Sequence, residues 1–320
     1  MRQSNFLGMI AQKILAFEEK IPDKGEDSYL LSLNEKAGVV GVFDGCGGIG
    51  ARRYQEYESR TGAYIASRAV AEGVYNWFQQ FYDHLPKGNS HYSEQIKAVI
   101  DKQLQLYSRG VQKKSVLKGG MQKEFPTTVS MCVIKPVKNK IALNFLWSGD
   151  SRGYMLGKTG LYQITKDDVD GENAMSNIKN DGVLTNVVSA SKPYVLHEKV
   201  VMLSNPAMVI TATDGCFGYL PSPMDFEFCI LDSLMAAENM LEWKDNLKSV
   251  FKEFTGDDYT FCAVLLNFSG FSDIKAYYKK RYEEMTEKYM IPLKNAEDEQ
   301  KDELWDTYRK TYEKYIGGET

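Results

Sequence analysis

Apolar positions along the chain follow two periods. Short β-branched or aromatic runs that stop abruptly at polar or glycine residues predict strands over 28–33, 39–43, 127–134, 141–147, 200–203, 208–213 and 259–266. Two further runs, 153–156 and 160–164, flank Gly157-Lys158-Thr159 and predict a hairpin. Spacings of three and four predict helices instead. Ile65, Val70, Val74, Trp77, Phe78 and Phe81 give one apolar face within 54–81, and Ile96, Val99, Ile100, Leu104 and Tyr107 give another. Pro86-Lys87-Gly88-Asn89-Ser90 separates them, and a flexible segment is expected around Gly119-Gly120. The polar stretch 167–191 reads as a loop with one helical piece, and 231–254 as a third helical segment. Helices among antiparallel-looking strands imply an α+β layered fold rather than a repeating βαβ unit.

Past Ser269 the pattern changes. Ile274, Tyr278, Tyr282, Met285 and Tyr289 recur at helical spacing, Pro292 interrupts them, and Trp305, Tyr308, Tyr312 and Tyr315 form a second stripe. The expected organisation is a main domain over 1–269 with a helical hairpin over 270–320. That hairpin is either a packed extension or a surface for a dimer or partner.

Composition removes several classes. A chain of 320 residues, 43% hydrophobic, buries a full core. A formal charge of −4 argues against a dedicated nucleic-acid binder, which needs a basic surface. His84, His91 and His197 lie too far apart to suggest a histidine-built zinc site. The five cysteines form no CxxC pair and read as reduced thiols of a cytosolic protein. No run of 18 apolar residues exists to span a membrane, and Gln12, Lys13 and Glu18 spoil the start as a signal peptide. A soluble, cytoplasmic protein is expected.

The chemistry lies at strand ends. Asp44 closes the run 39–43 and is followed by the glycine-rich turn 45–50. Asp150 follows 141–147, Asp214 follows 208–213, Asp257-Asp258 precede 259–266, and Glu26-Asp27 precede 28–33. In an antiparallel sheet such C-terminal ends and N-terminal starts share one side. Clustered carboxylates repel and raise each other's pKa unless a cation neutralises them. An all-oxygen ligand set suits a hard cation, Mg2+ or Mn2+, and two such ions can activate water against a phosphate ester.

In order along the chain, Glu26-Asp27-Ser28, Val42 to Gly48, Thr127-Thr128-Val129, Ser148 to Tyr154, Ile164 to Asp168, Thr213-Asp214-Gly215 and Gly256 to Thr260 resemble the motifs of the PPM-type (type 2C) metal-dependent Ser/Thr protein phosphatases of bacterial kind. The resemblance covers roughly residues 20–268. It implies a four-layer α-β-β-α sandwich of two mainly antiparallel sheets with a metal cluster at one end. Asp44 would bridge two ions and the Gly45 carbonyl would ligate one. Asp214 and Asp257 would complete the first ion's protein ligands, and Glu26 or Asp27 would reach the second shell of the other. Asp150 with Asp214 would match a weaker third site. A metal-bound water would attack phosphorus directly. The implied partners are phosphoprotein substrates and a counterpart Ser/Thr kinase.

Two positions depart from that family. Its members commonly grip the substrate phosphate with an arginine ahead of the Glu-Asp pair. Here only Lys24 or Lys20 stands there, each a point charge rather than a planar fork. Many members also have a histidine after the Asp-Gly, where this chain has Cys46, read as structural. These departures leave a second reading, a catalytically weak phosphatase-like regulatory or binding module. Gly45 to Gly50 also spells the GxGxxG of dinucleotide sites, but Asp44 would face a pyrophosphate with like charge and the following helices leave no second strand at the usual interval.

Overall fold

The computed structural model describes residues 6–85, 90–111, 124–171, 173–179 and 182–316. The expected break at 86–89 and the flexible segment around Gly119-Gly120 lie outside them. The strands are β1 (Ile10–Glu18), β2 (Ser28–Leu33), β3 (Gly38–Phe43), β4 (Arg53–Tyr54), β5 (Arg60–Thr61), β6 (Val129–Val137), β7 (Lys140–Ser148), β8 (Arg152–Gly157), β9 (Gly160–Gln163), β10 (His197–Leu203), β11 (Ala207–Ala212) and β12 (Tyr259–Leu266). Two five-stranded sheets form, ordered β1-β12-β11-β8-β9 and β10-β7-β6-β3-β2, and β4-β5 make a small separate ribbon. Every pairing is antiparallel.

The period of two along the central strands distributes side chains between layers. Val40, Val42, Cys132 and Ile134 face the opposite sheet, where they join Val209, Cys262 and Val264. Their neighbours Val39, Phe43, Met131 and Val133 face outward, into a cluster with Ile65, Val70, Val74 and Ile100. Those four belong to α2 (Gly62–Phe81) and α3 (Ser93–Arg109), which follow the short α1 (Gly47–Gly50). On the other sheet Phe261, Ala263 and Leu265 face outward against Phe226, Leu231, Trp243 and Leu247. These come from α5 (Pro223–Ala236) and α6 (Met240–Phe254), which lie after α4 (Ala174–Lys179). Three apolar layers between four structural layers make the α-β-β-α sandwich that the motifs imply.

The C-terminal helices are present: α7 (Phe271–Met285), a π-helical turn at Thr286–Met290, α8 (Ile291–Leu293) and α9 (Asp298–Tyr312). Ile274, Tyr278, Met285, Trp305, Tyr308 and Tyr312 are buried in the same cluster as the outer face of the first sheet. Pro292 sits in the first turn of α8, directly after the π-helical turn, and the chain stays helical through it.

Local structure corrects the sequence reading in three places. The helix expected over 54–81 begins only at Gly62. Thr61 caps it, its hydroxyl accepting the Tyr64 N–H, and the ribbon β4-β5 takes up the residues before it. The segment 231–254 is two helices, because Asn239 caps a new one at Met240 through the N–H groups of Leu241 and Glu242. Strand β1 had no counterpart in the sequence reading. Cys132, Cys216 and Cys262 are buried, and Cys46 and Cys229 are partly buried.

Candidate metal centre

Register brings the acidic strand ends to one edge of the sandwich. Ser28 pairs with Phe43 in one sheet, and Arg152 pairs with Ala212, which pairs in turn with Phe261, in the other. Residues just beyond these pairs are Asp27, Asp44, Asp150, Asp214 and Asp257-Asp258. Asp27 joins the two sheets. Its Oδ2 accepts the hydroxyl of Thr213 at 2.9 Å and that of Thr260 at 2.7 Å, and it is 2% exposed. A buried carboxylate needs such donors.

The backbone of Asp44 is held by the Thr127-Thr128 pair. Its carbonyl accepts the Thr127 hydroxyl and the Thr128 N–H, each at 2.8 Å, and its N–H reaches the Thr128 hydroxyl at 3.3 Å. Thr128 also pairs with Ser151 at 2.6 Å, so one strand start ties the Asp44 turn to the Asp150 turn. Gly45 is required by close approach. A Cβ there would lie 2.6 Å from the Ala63 carbonyl oxygen and 2.9 Å from that of Glu26. Gly215 is the parallel case, since its Cβ would meet the Asp258 carbonyl oxygen at 1.9 Å. Both glycines let a strand-end aspartate turn tightly against a second acidic loop.

Glu26 is half-buried, and Thr61 donates its hydroxyl to Oε1. Asp258 is used internally, accepting the backbone N–H groups of Lys20 and Glu26. Asp257 stays exposed, with Oδ1 accepting the Asp258 N–H at 2.8 Å. Asp44, Asp150 and Asp214 each keep partial access to solvent.

Electrostatics define the group as a cluster. Burial raises the Asp44 pKa well above the carboxylate range, and the charges acting on it most strongly are Asp214, Asp27, Asp150 and Asp257. Burial, then Asp214 and Asp167, push Asp150 up to about 8, while Arg152 opposes them. Asp27 is likewise pushed up to about 8, by burial first and by Asp214 and Asp258, against its threonine bonds. Glu26 is raised by burial, Asp258 and Asp257. A set of carboxylates whose strongest electrostatic neighbours are other carboxylates is a site for positive charge.

The donors fit a hard divalent ion: oxygen only, from carboxylates and a backbone carbonyl. Among the described residues no three His, Cys, Asp or Glu side chains converge closely enough to cage an ion alone.

The two lysines before the Glu-Asp pair differ. Both are exposed, but the Lys20 ammonium donates to the Gly256 carbonyl. Cys46 turns its thiol to the Asp44 carbonyl at 3.9 Å. Sequence reasoning overlooked a group of arginines beside Glu26. Arg53 acts on the Glu26 charge from the ribbon, Arg60 donates to the Asp23 carbonyl, and Arg68 Nη2 donates to the Gly25 carbonyl at 3.1 Å. Only the density of arginine and tyrosine over 52–68 could have signalled them.

No protein-family model and no curated protein matches the chain. Solved structures do. A bacterial serine phosphatase aligns with a TM-score of 0.57 at 18% identity, over 80% of this chain and 98% of its own. Serine/threonine phosphatase Stp1 from Staphylococcus aureus aligns with a TM-score of 0.57 at 17% identity, over 83% and 98%. The catalytic domain of the serine/threonine phosphatase PstP, in complex with two manganese ions, aligns with a TM-score of 0.51 at 17% identity, over 81% and 99%. This chain has the fold of the bacterial serine/threonine phosphatases, the PPM-type architecture its motifs resemble.

No helix among the described residues is long and apolar enough to cross a membrane.

Proposed function

We propose that this chain is a divalent-metal-dependent phosphatase that hydrolyses phosphoserine and phosphothreonine on proteins. The observation that carries the reading is the carboxylate cluster itself: acidic residues from five strand ends, gathered at one edge of a phosphatase-like sandwich. Repulsion of that kind is costly to maintain and has a purpose when cations are held there.

In this reading Asp44 and the Gly45 carbonyl hold the ions, with Asp214 and Asp257 as further ligands of one. Glu26 or Asp27 serves the other, and Asp150 with Asp214 forms a weaker third position. Bound Mn2+ or Mg2+, two ions with room for a third, supplies an acidified water and polarises the phosphoryl oxygens. The chain's own residues do the positioning. Thr213 and Thr260 fix Asp27, Thr127 and Thr128 fix the Asp44 turn, and Asp258 fixes the backbone of Glu26. Lys24 is the exposed cation before the Glu-Asp pair that would meet the substrate phosphate, Lys20 being engaged with the Gly256 carbonyl. Residues 1–269 form the phosphatase domain and 270–320 its extension. A Ser/Thr kinase acting on the same cytoplasmic proteins would be the counterpart.

The test is release of phosphate from p-nitrophenyl phosphate and a phosphothreonine peptide with Mn2+, with Mg2+ or with a chelator. Turnover is expected only with metal, and Asp214→Ala is expected to lower it by at least about 100-fold, the upper end of what losing even an outer-shell partner costs. A wild type that binds metal yet turns over neither substrate would favour the regulatory-module reading.

A further inference from the structure

Asp150 hangs on a loop gripped from two sides. The Gly149 N–H donates to Asp168 Oδ2 at 3.0 Å, and the Asp168 N–H returns to the Gly149 carbonyl at 3.0 Å. Two residues past Asp150, Arg152 forms a fork with Asp167. Nε lies 3.0 Å and 3.1 Å from the two carboxylate oxygens, and Nη2 lies 2.7 Å from Oδ2. Gln163 and Asn177 donate to the same carboxylate at 2.9 Å and 2.8 Å. Asp167 is thereby saturated, and the Arg152 plane is fixed on that edge.

The other edge of Arg152 faces the C-terminal helices. Arg152 is 1% exposed and lies over the Phe217 ring at 4.2 Å. Tyr154 and Tyr312 are each 0% exposed, with ring centroids 6.2 Å apart. Arg152 Nη1, Tyr154 Oη and Tyr312 Oη are all buried, and what hydrogen bonding they have is with one another, Tyr154 meeting both the Arg152 guanidinium and the Tyr312 hydroxyl. They lie close enough that each tyrosine acts on the ionisation of Arg152 and of the other. A guanidinium N–H and two hydroxyls therefore form a buried polar cluster behind the Arg152–Asp167 fork. One of its three members comes from α9, beyond the span of the family motifs. Tyr312 is held by ring contacts to Trp305 at 5.8 Å and Tyr308 at 5.5 Å, and Tyr308 anchors the helix by donating to Glu227 at 2.7 Å.

We propose that Tyr312 is a positioning residue for Asp150: the terminal helix closes the far edge of Arg152, and Arg152 with Asp167 and Asp168 sets the 148–152 loop that presents Asp150. This inference rests on the metal-site reading for its functional meaning and on the hydrogen-bonded chain for its structure. It makes the C-terminal helices part of the site rather than an addition to it, because Arg152 left to move would loosen the loop from behind.

The experiment uses the full chain carrying Tyr312→Phe, with Tyr308→Phe as a control on the same helix that leaves the cluster intact. Amide hydrogen exchange over 148–152 is read in chelator, and Mn2+ affinity by calorimetry. Tyr312→Phe is expected to speed exchange at the Gly149 amide and to weaken Mn2+ binding, each by about ten-fold, the scale of losses from outer-shell partners. Tyr308→Phe is expected to lower the melting temperature without either change. Unchanged exchange and unchanged Mn2+ affinity in Tyr312→Phe would overturn the inference, as would equal changes in both variants, which would mean general loosening. Should Tyr312→Phe fail to fold, Tyr154→Phe reads the same link from the sheet side. A wild type that took up no Mn2+ would sink the phosphatase reading, while the exchange rates would still decide this one.

Discussion

Asp258 accepts the backbone N–H of Glu26 at 2.7 Å across 232 residues of chain. Its other oxygen takes the Lys20 N–H at 2.8 Å. One carboxylate thus clasps the entry to β2 against the start of β12, and candidate ligands Glu26 and Asp257 sit on either side of the clasp. Asp258→Ala removes both acceptors. It is expected to cost about 1.5–3 kcal/mol, the range for hydrogen bonds to a charged group, and to weaken Mn2+ uptake. Asp258→Asn keeps one acceptor oxygen and should fall between. Thermal unfolding in chelator and calorimetric titration with Mn2+ check the two effects separately.

Metal-free protein should become less stable as pH rises. Asp27 and Asp150 are held up to about 8 in the folded state, against 3.8 ordinarily. Between those values the folded chain binds protons that the unfolded chain has released, so each increment of pH in that window favours unfolding. Their contribution is full below about 4 and lost once pH passes the folded values. In chelator the melting temperature should fall from about pH 5 to about pH 8, with a shallower slope in Asp150→Asn. Mn2+ should flatten the slope in the wild type, because a bound cation favours the ionised carboxylates. An equal slope with and without Mn2+ would count against a cation at these residues.

How much could be read from the sequence depended on whether the information was local. The strand runs ended or began at carboxylates, and antiparallel pairing alone put those ends on one side, so the gathering of acidic strand ends at one edge was legible. Which carboxylates stay available was not. That Asp258 serves backbone N–H groups, and that Asp27 serves Thr213 and Thr260, is decided by the other sheet. Strand β1 was missed because it is an edge strand: Ile14 and Ala16 are buried, but the adjacent Gln12 and Lys13 before them are both exposed and break the alternation. The early start given to α2 ran ahead of its apolar face, whose first member is Ile65, while Tyr54 and Gln55–Tyr57 belong to a ribbon and a turn. Thr61, Ser222-Pro223 and Asn239 carried ordinary cap signals that mark the true boundaries.

Glu227 and Arg281 form the buried joint between the sandwich and its C-terminal helices. Nε and Nη2 of Arg281 reach the two Glu227 oxygens at 2.7 Å and 2.9 Å, and the Tyr308 hydroxyl adds a third bond at 2.7 Å. Their side chains are 0% and 4% exposed. Removing Glu227 leaves the buried Arg281 with Glu284 alone, 3.2 Å from its Nη1. Glu227→Ala is therefore expected to destabilise by about 3–5 kcal/mol, whereas Glu227→Leu with Arg281→Met should recover much of that loss. Urea unfolding of the three proteins measures the difference. A double variant no better than the single would mean that the Tyr308 hydroxyl, and not the charge pair, sets the cost.

Two guanidinium groups lie over the Tyr64 ring beside the acidic cluster, Arg68 at 3.5 Å and Arg60 at 4.5 Å from its centroid. Arg68 is engaged with the Gly25 carbonyl and lies 3.6 Å from Glu19. Arg60 is half-exposed, donates to the Asp23 carbonyl, and is followed by Thr61, whose hydroxyl meets Glu26. A fork-shaped donor preset on an aromatic face next to a negative cluster is suited to catching a phosphoryl group that the carboxylates alone would repel. Arg60→Ala is expected to raise KM for a phosphopeptide about ten-fold, in keeping with the loss of one charge-assisted bond, with kcat changing much less. Arg60→Lys should restore part of the binding but not the fork geometry, and Lys24→Ala should have the smaller effect of an exposed point charge. Steady-state kinetics at saturating Mn2+ separate these outcomes. If KM is untouched in Arg60→Ala while the melting temperature falls, Arg60 serves only to brace the Asp23 turn, and the substrate phosphate is left to Lys24 and the metals.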